Sequence, residues 1–261
     1  MRADLLLVQL GLAKTRSRAQ DMITRGEVSV CRDGKKTVVA KAGLDLDPSS
    51  QIEVASSHAN QYVSRGGMKL AGALGHTGLQ VQGLHALDIG ISTGGFTDCL
   101  LRAGARSVVG VDVGHGQLAE SLLKDPRVRH FEGINARDLR LPPDASREFD
   151  LVVIDVSFIS LTLVLSQGIQ YLLESGFCLA LVKPQFEVGR AGVGKDGLVK
   201  DVNLYALVED KIRVAADSAG FEVMDYFASS IEGTDGNKEF FLFARPRADR
   251  CRRTDFSPGS L

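Results

Sequence analysis

Five short apolar runs alternating with helix-patterned stretches constrain the fold of this chain more than any other feature. Leu84–Leu87, Val108–Val111, Val128–Phe131, Leu151–Ile154 and Leu179–Val182 read as strands, and stretches near 95–104, 116–124, 160–173 and 202–218 read as helices. Strand and helix in alternation build a parallel sheet, because each new strand can start beside the last only after a crossover, which the helix provides. Two later runs, Phe221–Phe227 and Phe240–Ala244, are joined by a loop holding Gly233, Asp235 and Gly236, which predicts a closing hairpin and an antiparallel last strand. The predicted class is α/β: a sheet of seven strands with helices on both faces, in a chain of 261 residues that also has room for a small second domain.

The residues ahead of this sheet differ in charge. Residues 1–69 carry 11 basic and 7 acidic side chains and residues 70–261 carry 20 and 25, a basic head on an acidic body within a net charge of −1. In the head, Asp4 is placed to cap a helix through Leu10 that Gly11 ends, and Thr15 or Ser17 to cap a second through Arg25, closed by Gly26. The second helix buries Ala19, Met22 and Ile23 and leaves Lys14, Arg16, Ser17, Arg18, Gln20 and Arg25 at its start or on other faces. Short strands follow from Val28 and Val30 through an Asp33-Gly34 turn to Ile52–Val54, making the head a small α+β unit. Helix, turn, basic helix and the "G-E-V-x-V" at 26–30 together resemble the S-four RNA-binding domain. The resemblance implies that the basic helix grips structured RNA through its phosphates, positioning it without reading sequence.

In the body, the first strand runs into Asp88-Ile89-Gly90-Ile91-Ser92-Thr93-Gly94-Gly95-Phe96. Such a turn at the carboxyl edge of a parallel sheet lets backbone amides approach a ligand closely. A pyrophosphate-binding fingerprint needs glycine where Ser92 stands. S-adenosylmethionine (SAM) carries no phosphate, and its cationic sulfonium and amino groups suit an acid such as Asp88 at the strand end. Asp112, ending the second strand, is placed for the ribose hydroxyls of an adenosine, which either cofactor would offer. The expected SAM contacts are Asp88, Gly90, Ser92, Gly94, Gly95, Phe96 and Asp112, with Asn135 and Asp138 on the adenine side or, equally, capping a helix.

Four charges are expected at the same edge. Asp155 ends the fourth strand and Lys183 the fifth, Glu239 begins the antiparallel last strand, and Lys69 lies on a helix before the first. Together they form the Lys-Asp-Lys-Glu set of a ribose 2′-hydroxyl methyltransferase. A sugar hydroxyl is a poor nucleophile, and a lysine whose charge is disfavoured by burial beside another lysine can take its proton while carboxylates orient it. The loop after the fourth strand, Asp155-Val156-Ser157-Phe158, lacks the prolines used for methylating exocyclic amines and the cysteine used for methylating cytosine carbon.

The motifs "V-S-R-G-G-x-K-L" at 63–70, "D-x-G-x-S-T-G-G-F-T" at 88–97, "D-V-G-x-G-Q-L" at 112–118, "D-x-S-F-I-S-L" at 155–161, "V-K-P-Q-F-E-V-G" at 182–189 and "G-N-x-E-F-F" at 236–241 closely resemble the TlyA family. These are haemolysin-named ribosomal RNA methyltransferases with an S-four head and an FtsJ-like, Rossmann-like body. The resemblance implies SAM-dependent 2′-O-methylation of cytidine in ribosomal RNA of the large subunit, and in some members also the small, with Lys69, Asp155, Lys183 and Glu239 as catalytic residues and Arg65 among the RNA contacts. The domains expected are 1–59, a linker at 60–64 in which Tyr62 replaces the tryptophan of many relatives, 65–245, and a basic tail at 246–261.

Other classes leave marks that this sequence lacks. Cys31, Cys99, Cys178 and Cys251 form no C-x-x-C pair, so no metal site is expected. Asp4 and Gln9 interrupt the apolar start, and the longest uncharged stretch, Val156 to Leu173, is too polar to span a bilayer. A cytoplasmic monomer that works on ribosomal RNA or ribosomal subunits and does not engage membranes is expected. A membrane-lytic protein should show a long apolar or strongly amphipathic segment. A non-catalytic RNA-binding or assembly factor should have lost a member of the charged set or Asp88, and all are present.

Overall fold

The computed structural model describes residues 1–13, 15–24, 28–32, 35–54, 62–233 and 236–248. The chain divides into two compact units, Met1–Gln61 and Tyr62–Leu261.

In the first unit, helices α1 (Ala3–Gln9) and α2 (Arg16–Thr24) pack with strands β1 (Val28–Arg32), β2 (Lys35–Val38) and β3 (Gln51–Val54), which form an antiparallel sheet in the order β2-β1-β3. Leu6, Leu7, Ala19, Met22, Ile23 and Val28 fill the core, and Gly11 takes the positive φ expected after α1. Asp4 does not cap that helix, which starts one residue earlier with Arg2 at its N-cap. It is fully buried instead, accepting hydrogen bonds from Arg2 Nε and Nη2 (both 3.0 Å), Arg16 Nε (2.9 Å) and Gln20 Nε2 (2.8 Å). A buried carboxylate needs such partners to keep its charge, and the Arg2 hydrogen bonds, with those of Gln20 and Arg16, hold it well below the usual range. Two predicted RNA contacts, Arg16 and Gln20, are thus engaged in joining α1 to α2. Lys14, Arg25, Gly26 and the Asp33-Gly34 turn lie outside the described residues, as do the side chains of Ser17 and Arg18.

The second unit holds the seven-stranded sheet: β4 (His85–Ile89), β5 (Ser107–Asp112), β6 (Val128–Glu132), β7 (Phe149–Ile154), β8 (Leu172–Val182), β9 (Phe221–Ala228) and β10 (Phe240–Pro246), in the order β6-β5-β4-β7-β8-β10-β9. The pairs within β6-β5-β4-β7-β8 are parallel, and β10 runs antiparallel to both β8 and β9. Helices α3 (Arg65–Thr77) and α4 (Gly95–Arg102) pack together in one apolar layer, and α6 (Thr162–Gly168) and α7 (Leu204–Ala219) in the other. The stretch 116–124 is helical for only one turn, α5 (Glu120–Leu123), because Gly116 has positive φ and its amide is drawn to the Glu132 carboxylate. The stretch 160–173 ends earlier than expected and β8 starts at Leu172: the polar Glu174, Ser175 and Gly176 hide a strand whose pairing with β7 is irregular at its start. Arg245 pairs with Glu222 and Arg247 with Asp217 on the body, whereas Arg250, Arg252 and Arg253 lie outside the described residues.

Candidate active site

The turn after β4 is shaped by backbone demands. Gly90 has φ +90°, and a Cβ there would overlap the backbone oxygen of Asp155 at the end of β7, so only glycine lets these strand ends close up. Gly90 and Ile91 amides donate to Val111 O, and the Ser92 amide donates to the Asp112 carboxylate (2.9 Å), which also accepts from the Gly114 amide (2.7 Å). Ser92 itself has φ +45°, a strained conformation that this amide bond and its hydroxyl's bond to Gln117 (3.0 Å) sustain.

Beside this turn lies a cavity of about 560 Å3, within the roughly 300–1,000 Å3 typical of sites for cofactor-sized ligands. Gly90, Ser92, Asp112 and Asn135 line it, together with Ile134, Arg137 and Phe158, which sequence reasoning missed. Asn135 also caps the 3-10 turn 136–138, its side chain accepting from Arg137 N (2.9 Å), which is the capping alternative read from the sequence. Other predicted cofactor contacts are placed elsewhere. Phe96 is core, stacked near Phe241; Gly94 faces Leu118 and Leu122; Gly95 lets the starts of α3 and α4 approach at Gly67. Asp138 points outward and pairs with Arg140 (3.1 Å). Asp88 lies beneath the turn, fully buried, its Oδ2 accepting from Thr97 Oγ1 (2.7 Å) and its Oδ1 without a hydrogen-bond partner. Burial pushes its carboxyl up to about 7.

A second cavity, of about 460 Å3, shares Ser157 and Phe158 with the first and is lined also by Lys69, Lys183 and Glu239. The four expected charges meet there as two ion pairs, Lys69 with Glu239 (2.5 Å) and Lys183 with Asp155 (2.6 Å). Lys183 Nζ also donates to Ser157 Oγ (2.8 Å). The Lys69–Glu239 pair is the more deeply buried, and burial lifts the Glu239 carboxyl above its ordinary value against the pull of Lys69. Phe158 stands between the cavities, 91% exposed at φ +64° and tilted against Phe186 with ring centroids 5.3 Å apart. An aromatic ring braced on one side by another and open to solvent on the rest offers a face on which a planar group can stack. Arg65, by contrast, is outside both cavities and donates to Glu232 O (3.0 Å).

The arrangement juxtaposes a cofactor-sized cavity with a pocket holding paired lysines. Residues 62–245 match the model of the FtsJ-like methyltransferases, and residues 1–30 match that of the S4 domain. The 16S/23S rRNA (cytidine-2′-O)-methyltransferase TlyA of Mycobacterium tuberculosis is 41% identical over 96% of this chain and 91% of its own length. The chain belongs to the TlyA family of FtsJ-like methyltransferases. Hemolysin A of Brachyspira hyodysenteriae, 39% identical over 92% of this chain and 98% of its own, is a further relative of this TlyA-family methyltransferase. A solved haemolysin-named protein of Streptococcus thermophilus superposes with a TM-score of 0.74 at 37% identity, covering 95% of this chain and 89% of that one. Among the described residues no helix is long and apolar enough to cross a membrane.

Proposed function

We propose that this TlyA-family chain uses SAM to methylate the 2′-hydroxyl of a cytidine in ribosomal RNA. The observation that carries the reading is the junction of the two cavities at Ser157 and Phe158, with the Lys183–Asp155 pair beside it. SAM fits the first cavity: Asp112 would hold the ribose hydroxyls, Asn135 and Ile134 the adenine side, and the buried Asp88 oxygen without a partner suits a cationic group above the turn. When bound, SAM supplies a methyl group on a positively charged sulfur. The chain's own contribution lies in the second cavity. There Phe158 offers a face for a base, Lys183 in its neutral amine form is placed to take the proton from the ribose hydroxyl, and Asp155 and the Lys69–Glu239 pair fix its position and balance the charge it then carries. The head supplies RNA affinity through its basic excess, which fits a cytoplasmic enzyme working on ribosomal subunits.

Two measurements test this. Calorimetry with S-adenosylhomocysteine should show binding that weakens by roughly 1–3 kcal/mol in Asp112→Ala, the loss of a charged hydrogen-bond partner; equal affinity would remove Asp112 from the site. Ribosomal RNA from cells with and without the protein should differ by ribose-methylated cytidine, and identical methylation maps would overturn the substrate.

A further inference from the structure

The loop after β7, which carries Asp155, Ser157 and Phe158, and the segment after β8, which carries Lys183, are joined by three successive rungs. The first is Lys183 with Asp155 and Ser157. The second is the Phe186–Phe158 ring contact. The third is Glu187, a buried carboxylate that takes no part in the chemistry above. Its Oε1 accepts from the Leu161 amide (2.7 Å), and its Oε2 accepts from Ser160 Oγ (2.6 Å) and from Lys211 Nζ of α7 (2.7 Å). Lys211 also donates to the Glu187 backbone oxygen (3.0 Å), tying the whole set to the helix layer.

Both Glu187 oxygens are thus occupied by three donors from two other segments, while the side chain is 1% exposed. A carboxylate this deep is costly unless fully paired, so the donors cannot drift without leaving a buried charge exposed to an apolar surrounding. The two loops are therefore locked just beyond the residues that line the second cavity. The third rung adds to the first two a buried anchor at Ser160 and Leu161, fixing the far end of the loop that carries Phe158 at its positive φ and Asp155 opposite Lys183.

From this geometry we propose that Glu187 is a positioning residue for methyl transfer: it clamps the Ser157–Phe158 loop to the Lys183 segment and thereby sets the geometry of the acceptor pocket. It lines neither cavity. Lys211 serves as the counter-charge that permits the clamp to be ionic, and Ser160 and Leu161 are its grips on the loop. The proposal rests on the methyltransferase reading of the site.

The test combines single-turnover methyl transfer to ribosomal subunits with hydrogen exchange. Glu187→Ala should transfer about 10- to 100-fold more slowly, the effect of an ångström-scale misplacement. Its affinity for S-adenosylhomocysteine should stay within about twofold, since the bonds it loses lie outside the cofactor cavity. Amides of residues 156–161 should exchange faster, and Glu187→Gln should restore part of both readouts: its oxygen still accepts from the Leu161 amide and its amino group can donate to Ser160 Oγ, but that group meets Lys211 Nζ donor to donor. If Glu187→Ala does not fold, Ser160→Ala removes one grip and should show a smaller drop in the same direction. Wild-type transfer rates and unchanged loop exchange in these variants would overturn the proposal. A merely structural role would lower thermal stability while leaving kcat untouched. Absence of transfer by the wild-type protein in the same assay would instead contradict the methyltransferase substrate, so the two failures are distinguishable.

Discussion

Lys183→Ala should fold and bind both cofactor and RNA, yet transfer methyl groups at least ~100-fold more slowly, the low end of what a positioned general base contributes. Lys183 Nζ sits at the junction of the two cavities, within reach of Asp155 Oδ1 (2.6 Å) and Ser157 Oγ (2.8 Å). Pro184, which follows it, begins a short 3-10 turn and restrains the chain there. Lys69 is held apart from this role by its tighter and more buried pairing with Glu239. Arginine at position 183 should not restore activity, because guanidinium does not deprotonate near neutrality and is bulkier. Single-turnover assays at saturating RNA and cofactor separate the outcomes. A rate near wild type in Lys183→Ala would rule out the base role, and substantial activity in Lys183→Arg would assign Lys183 to charge balance.

The second large effect concerns stability. Asp88 is fully buried, with one oxygen unpartnered, and burial pushes its carboxyl up to about 7. In the unfolded chain the same group titrates near the ordinary ~4. Between these values the native state holds a proton that the unfolded state has lost, so the contribution of Asp88 is fully present below ~4, is lost as pH rises, and stays lost above about 7. Asp88→Asn removes this titration. The stability of the wild type relative to the variant should therefore fall by up to ~1.4 kcal/mol per pH unit across that window and level off above it. Urea unfolding of both proteins between pH 4.5 and pH 8.5, without cofactor, measures the difference; parallel stability profiles would contradict the buried, partly protonated state.

Sequence periodicity revealed all seven strands of the sheet, and the strand ends placed the charged set, because in a parallel sheet the carboxyl edge gathers whatever terminates each strand. What it could not show is the direction of each side chain around a turn. Phe96 follows the glycine turn as closely as Ser92 does, but it faces the core, while Ser92 faces the cavity. Asp4 has the local signature of a helix cap, and its burial depends on Arg16 and Gln20, partners more than ten residues away whose approach only the packed helix pair creates. Phe158 and Glu187 lie within motifs, but their residue types alone point to no chemical role. The signals for them are three-dimensional: an exposed ring at positive φ and a buried carboxylate with three donors.

On the proposed function, the methyl acceptor is a ribose hydroxyl. Purified ribosomal subunits incubated with the protein and methyl-labelled SAM should yield ribose-methylated cytidine on nuclease digestion and mass analysis, and RNA carrying a 2′-deoxycytidine at the modified position should take up no label. Label on a nucleobase, or undiminished incorporation into the deoxy-substituted RNA, would rule out a hydroxyl acceptor.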